Sequence, residues 1–444
     1  MQNPLKEMVV KRQNGIHCGI PSFCCANKIV IEAVLDQAQR FGDTPLIEAT
    51  SNQVNQNGGY MDMTPQDFTD YVYKIADKLH IAHDKIYLGG DHMGPLPWVN
   101  LPAAEAMENA KVLVAQCVKA GYKKIHLDTS MRLGDDSRDV RLSDEIVAER
   151  GAILYKACEE AYQEMLKENP DEMHPVFVIG SEVPIPGGMN EEEAEGMELT
   201  DPKDFEHTLM AYKKKFKELG LDDAWEHIIA VVVQPGVEFG DDAIHRYNRE
   251  EAKELCRTLK KYPDIVFEGH STDYQSPEQL KQMVEDGIAI IKVGPALTFA
   301  LREALFALEM METELIDDPS KRSHFREILE NEMVTDPKNW KNYYTGTEKE
   351  KEIKRKYSFS DRSRYYMSRP IVEDARRKLF ENIDNATIPM SMLKQFMPLQ
   401  YIKVRDGRLS MKARELAKDS VVTLVDDYNF AVKYNYMISG IFVH

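Results

Sequence analysis

The stretch Leu88-Gly89-Gly90-Asp91-His92-Met93-Gly94-Pro95 sets a carboxylate beside an imidazole and brackets both with glycines. Neighbours on a regular strand point to opposite faces, so Asp91 and His92 converge only where the strand ends or kinks. The glycines permit such a turn and the close approach of a ligand. One residue can then bind a metal while the other moves a proton. The plainer alternative is a buried histidine satisfied by a neighbouring strand. A second histidine stands in Phe267-Glu268-Gly269-His270-Ser271-Thr272-Asp273, with hydroxyls and backbone amides just after it. Glu182 adds a carboxylate to the otherwise apolar run Val176–Val183. Two neutral imidazoles and one carboxylate, leaving a position open, are a catalytic divalent-metal set, with zinc the usual occupant. Alternatively, Glu182 pairs with Lys292, the one charge in the run Ile288–Pro295.

Further polar groups close other apolar runs. In Ile125-His126-Leu127-Asp128-Thr129-Ser130, period-two alternation puts His126, Asp128 and Ser130 on one face. Either Asp128 or His126 could touch a substrate, or the three could form a buried polar ladder. Gln234 is a candidate substrate contact or weak ligand, and equally a structural amide capping the end of its run. Glu48, Ser51, Asn52 and Gln53 cluster at another end. Ser271-Thr272 and Lys292-Val293-Gly294 fall where a phosphate could bind, though a Ser-Thr pair is as common in an ordinary turn. No Walker loop and no dinucleotide fingerprint is present, which disfavours a P-loop kinase or a Rossmann oxidoreductase.

Eight apolar runs must position these residues: Ile16–Cys24, Thr44–Ser51, Lys85–His92, Lys124–Ser130, Val176–Val183, His227–Gly236, Asp264–Ser271 and Ile288–Pro295. Most are followed by a helix-length amphipathic stretch, namely Lys28–Phe41, Pro65–Leu79, Ala103–Ala120, Ser143–Lys167, Pro202–Leu219, Arg249–Lys261 and Pro277–Asp286. Thr64-Pro65, Asp201-Pro202 and Ser276-Pro277 are helix starts, an N-cap candidate directly before proline. Alternation repeated eight times is the signature of a closed (β/α)8 TIM barrel, an α/β fold whose strand carboxyl ends share one face where catalytic groups collect. The barrel is expected over residues 1–315. Residues 316–444, dense in charge and tyrosine, read as a mostly helical C-terminal extension punctuated by Tyr357–Arg362 and Arg364-Tyr365-Tyr366.

The chain has 444 residues, room for a barrel of roughly 250–300 residues and an extension. A net charge of −18 argues against a nucleic-acid partner, since phosphate binding needs a basic face. No apolar run is long enough to span a membrane, and the N-terminus lacks a signal-peptide pattern. Six cysteines in so long a chain do not make a disulfide framework, and Cys24-Cys25 reads as core packing. A cytoplasmic protein is expected.

With these residues in place the chain closely resembles the accessory (Z-type) subunit of class II tagatose-bisphosphate aldolase. The likeness runs end to end, through Ile47–Gln56, Leu88–Pro95, Ile125–Ser130, Glu182–Gly188, Val231–Phe239, His270–Gln275 and Lys292–Arg302. That family is similar to the catalytic class II aldolases, which are zinc barrels. The resemblance implies that Asp91 is the acid/base, that His92 and His270 bind the metal, and that Glu182 joins them. Gln234-Pro235-Gly236 stands where those catalytic enzymes carry a ligating histidine. Two roles follow from the resemblance, and family membership favours the first. One is an accessory subunit required by a separate catalytic aldolase subunit. The other is metal-dependent chemistry at the chain's own site on a ketose or ketose phosphate, as an aldolase or as a 4-epimerase, an activity described for some similar proteins.

Overall fold

A computed structural model describes residues 3–137, 142–180 and 199–433. Eight strands close a barrel: β1 (Ile20–Cys24), β2 (Leu46–Thr50), β3 (Tyr87–Met93), β4 (Lys124–Leu127), β5 (Val176–Ile179), β6 (Ile228–Val233), β7 (Val266–Gly269) and β8 (Ile288–Val293). All neighbours run parallel and follow chain order, and β8 closes on β1 with Ile20 opposite Ile290. Each expected strand is present, and β2, β4, β5, β6 and β7 stop short of the polar residues that close their apolar runs. A parallel strand covered on both faces tolerates apolar side chains, while polar ones leave the ladder to find partners at the rim. A two-residue hairpin, Glu238–Phe239 with Ile244–His245, follows β6 and was not expected from the sequence.

The outer layer is α2 (Lys28–Phe41), α3 (Pro65–Lys78), α4 (Ala103–Lys119), α5 (Asp144–Glu168), α6 (Pro202–Glu218), α7 (Lys253–Leu259), α8 (Pro277–Asp286) and α9 (Pro295–Leu315). The three N-cap–proline starts do their expected work. Thr64 and Ser276 form full capping boxes with Asp67 and Gln279, and Asp201 accepts from the Lys203 amide. An unanticipated helix, α1 (Pro4–Gln13), precedes the barrel. Its Leu5, Met8 and Val9 pack with inward residues of four strands, among them Val178, Ala230, Val232 and Ile290. The amino-terminal end is thus sealed, leaving the carboxyl end as the place for a site.

The extension is helical: α10 (Phe325–Thr335), α11 (Glu348–Tyr357), α12 (Pro370–Asn385), α13 (Met390–Phe396), α14 (Pro398–Arg405) and α15 (Ala413–Val432). In α15, Leu416, Ala417, Val421, Val425 and Tyr428 are buried, and the helix packs against α2, α8 and α9. Barrel and extension therefore share one apolar cluster. Burying each such aliphatic side chain is worth about 1.5–3 kcal/mol, which fixes the extension against the barrel wall. A buried ion pair, Arg302 Nε to Asp361 Oδ1 at 2.7 Å, ties α9 to the turn that carries Arg364.

Candidate metal centre and active site

At the carboxyl end of β3, His92 adopts a left-handed backbone (φ 48°) and the β3–β4 register breaks between Gly90 and Met93. This is the kink the Asp-His pair requires, and a non-glycine residue in that region is strained. Glycines make it fit. A methyl group on Gly94 would stand 1.8 Å from the Asp128 carbonyl oxygen, and one on Gly89 would stand 2.5 Å from Glu48 Oε1. As a result Asp91 and His92 both face the barrel axis, with His92 Nε2 3.7 Å from Asp91 Oδ1.

Three imidazoles gather there. Ring centroids lie 4.8 Å apart for His92 and His270, 5.1 Å for His92 and His126, and 5.2 Å for His126 and His270. One donor atom from each, with an Asp91 oxygen, falls within 4.8 Å of all the others, and all four residues are buried. Their hydrogen bonds separate their roles. His92 Nδ1 is 2.7 Å from Asp128 Oδ2, and its Nε2, 3.7 Å from Asp91 Oδ1, makes no hydrogen bond among the described residues. His270 Nε2 is 2.8 Å from Glu268 Oε1, and its Nδ1 makes no hydrogen bond among the described residues. An imidazole held by a carboxylate at one nitrogen and open at the other is the usual state of a metal ligand. His126 differs. Its Nε2 donates to the Gly180 carbonyl at 3.0 Å and its Nδ1 accepts the His92 amide at 3.2 Å, so it fixes the kinked backbone and has no lone pair to spare.

Beneath the histidines lies a buried charge network. Lys292 Nζ is 2.8 Å from Asp91 Oδ1, bonds Glu48, and stands 3.9 Å from Glu268. Lys124 Nζ bridges Glu48 at 2.9 Å and Glu268 at 2.7 Å. Burial alone would raise the Asp91 carboxyl, but His92 and Lys292 override it and hold it well below the usual carboxylate range. Burial opposes charge at Asp128 too, yet its bond to His92 holds it down at about 2. His270 is pushed down to about 4, chiefly by burial, and so is neutral at physiological pH. Three carboxylates against two ammoniums leave the network one negative charge in excess, to which Asp128 adds another. Burial lowers the His92 imidazole, but Asp91 and Asp128 override it and raise it, so in the metal-free site it tends to hold a proton that offsets part of this excess. A divalent cation on His92 and His270 would displace that proton and take over its charge, so the donor set fits such an ion.

A cavity of about 260 Å³ opens above this centre. Asp91, His92, His270, Ser271, Lys292, Gly294 and Asn52 line it. Other residues singled out in the sequence have different work. Glu48 is fully buried in the ion network. Gln234 turns its carbonyl oxygen onto the Gly236 and Val237 amides at 2.9 and 3.0 Å, the strand-capping alternative. Thr272 donates to the Lys292 carbonyl at 2.6 Å and is fully buried. Ser130 bonds Asp128 at 2.8 Å, away from the cavity. Asp273 Oδ1 takes the Gly294 and Ala296 amides, at 3.0 and 2.8 Å. Glu182 lies outside the described residues, so Lys292 is accounted for here by Glu48, Asp91 and Glu268. Sequence reasoning passed over Glu268, although its place two residues before His270 on one strand face was a readable signal. It also missed Arg364 and Tyr365 of the extension, which line the same cavity.

Residues 5–433 match the family described as D-tagatose-1,6-bisphosphate aldolase subunit GatZ/KbaZ-like. The chain belongs to that family. Among solved structures, a probable tagatose 6 phosphate kinase from Sinorhizobium meliloti 1021 is 41% identical to this GatZ/KbaZ-like chain, with a TM-score of 0.84. The alignment covers 94% of this chain and 100% of that one. The YdjI aldolase from Escherichia coli K12 is 14% identical over 69% of this chain and 86% of its own, with a TM-score of 0.40. Fructose-bisphosphate aldolase from Campylobacter jejuni is also 14% identical, over 86% and 94%, with a TM-score of 0.44. No helix of the described GatZ/KbaZ-like residues is long and apolar enough to cross a membrane.

Proposed function

We propose that this chain performs metal-dependent retro-aldol chemistry at its own barrel site, epimerising a tagatose-type ketose at carbon 4. One observation carries the reading. Among the described residues His92 Nε2 and His270 Nδ1 make no hydrogen bond and stand beside an ionised Asp91, with their opposite nitrogens fixed by Asp128 and Glu268. A subunit that only stabilises a partner has no use for two carboxylate-oriented imidazoles at the foot of a cavity. His92 and His270 would hold the cation, zinc by the chemistry of the donors, with Glu182 as a third ligand. When bound, the ion supplies electrophilic polarisation of the ketose carbonyl.

This chain's own groups do the rest. Asp91, held ionised by Lys292 at 2.8 Å, takes the proton of the C4 hydroxyl. The C3–C4 bond breaks, its electron pair passes to the C2 carbonyl as an enediolate, and C4 becomes an aldehyde. If the aldehyde turns over before the bond re-forms, C4 is inverted and Asp91 returns the proton to the new hydroxyl. If the fragments leave, the same steps amount to an aldolase.

A proton and carbon NMR time course tests this, using purified chain with zinc or manganese and tagatose or its phosphates. The C4 epimer or triose products, abolished in His92→Ala, support the proposal. Unchanged substrate with every metal contradicts it. Family membership favours a second reading, in which the chain is the accessory partner of a catalytic aldolase subunit in the cytoplasm. Under that reading the purified chain is inert and a catalytic subunit gains activity or stability when it is added.

A further inference from the structure

In barrels the phosphate of a substrate commonly sits on the backbone amides after strands seven and eight. Here that place is taken. The Asp273 carboxylate accepts the Gly294 and Ala296 amides at 3.0 and 2.8 Å, and a phosphate there would face a buried carboxylate. A phosphorylated ligand must find its cation elsewhere in the cavity. Three cations line it: Lys292, Lys28 and Arg364. Lys292 is spent on Glu48, Asp91 and Glu268. Lys28 and Arg364 have no carboxylate partner among the described residues, and the cavity-lining Glu373 is engaged by Arg376.

Arg364 is built into position rather than loose. The buried Arg302–Asp361 pair fixes its turn, the Ser360 and Asp361 carbonyls take one guanidinium nitrogen, and Tyr365 Oη takes the other at 2.8 Å. Its guanidinium lies 4.4 Å from the Tyr365 ring centroid, and Tyr365 packs edge-on against Tyr60 at 4.7 Å. A guanidinium has five N–H donors, so part of the fork remains unclaimed, and that planar fork matches a phosphate.

We infer that Arg364, lent to the barrel mouth by the C-terminal extension, binds the phosphate of a phosphorylated ketose, with Lys28 as the second cation. The inference rests on the retro-aldol reading of the site and names its substrate class. It also gives the extension a task. A site whose metal end is barrel and whose anion end is extension is complete only when both are folded together.

Binding measurements on the full chain test it. Calorimetric titrations use inorganic phosphate, tagatose 6-phosphate and free tagatose, with wild type, Arg364→Gln, Arg364→Lys and Lys28→Gln. Wild type should bind the sugar phosphate at least about 10-fold tighter than the free sugar, and Arg364→Gln should erase that preference. Arg364→Lys should keep part of it. Lys28→Gln, at a half-buried position whose side chain makes no hydrogen bond or ion pair among the described residues, should weaken both phosphate ligands and leave thermal unfolding unchanged. Binding of the two phosphates undiminished in Arg364→Gln and Lys28→Gln would overturn the inference, as would a wild type that prefers the free sugar. Arg364-dependent phosphate binding without turnover would uphold it while sinking the proposed reaction.

Discussion

Lys292 Nζ lies 2.8 Å from Asp91 Oδ1, so a lysine from the last barrel strand holds the charge of a carboxylate at the end of the third. The same ammonium contacts Glu48 on β2. Removing it leaves buried carboxylates facing one another, and breaking a buried pair costs about 3–5 kcal/mol. Lys292→Met should therefore unfold at clearly lower urea concentration and lose turnover. Equal midpoints for wild type and variant would show that the network does not stabilise the barrel.

Asp128 and Glu268 should tune the metal without touching it. Loss of such an orienting carboxylate typically costs about 10–100-fold in metal affinity. Asp128→Asn and Glu268→Gln are each expected to weaken zinc binding by that factor in a chelator competition, with far-UV circular dichroism unchanged. Wild-type affinity in both variants would remove His92 and His270 from the ligand set.

Gly94→Ala tests the kink. The added methyl group would sit 1.8 Å from a backbone oxygen, which cannot swing aside as a side chain can. A loss of about 2 kcal/mol or more is expected in denaturant unfolding, with activity falling as Asp128 and His92 are pushed apart. A variant as stable and active as wild type would contradict the geometry at the end of β3.

His227 should give the protein an acid-sensitive step remote from the site. Burial first, then His174 and Lys6, lower it to about 4, and its ring stacks on His174 at 3.5 Å. The unfolded chain therefore binds a proton here that the folded chain refuses. Stability from this group is fully present above the unfolded value of about 6.5 and is lost as pH falls towards about 4. Thermal unfolding between those limits should depend less steeply on pH in His227→Gln. Identical slopes would show that other groups set the acid limit.

The barrel was readable because its signal is local. Runs such as Ile228–Val233 are apolar on both faces, and Thr64, Asp201 and Ser276 announce helix starts within four residues. Asp91, His92 and His270 were readable because strand ends converge in this fold. What was hidden depends on long-range geometry. His126 shares a strand face with Asp128, but only the folded chain shows it bonding the His92 amide across 34 positions. Gln234 and Thr272 look like ligand contacts in sequence and prove to satisfy backbone groups instead. Arg364 reaches the cavity from an extension without barrel periodicity, so no pattern linked it to the site.

Turnover in D2O with zinc-loaded enzyme, followed by deuterium at C4, separates a retro-aldol route from proton abstraction at carbon. In a retro-aldol route the C4 hydrogen stays on carbon as the aldehyde hydrogen. On that route C4-epimerised ketose carrying protium at C4 is the expected product. Deuterium at C4, or no epimer and no triose product at all, would contradict it.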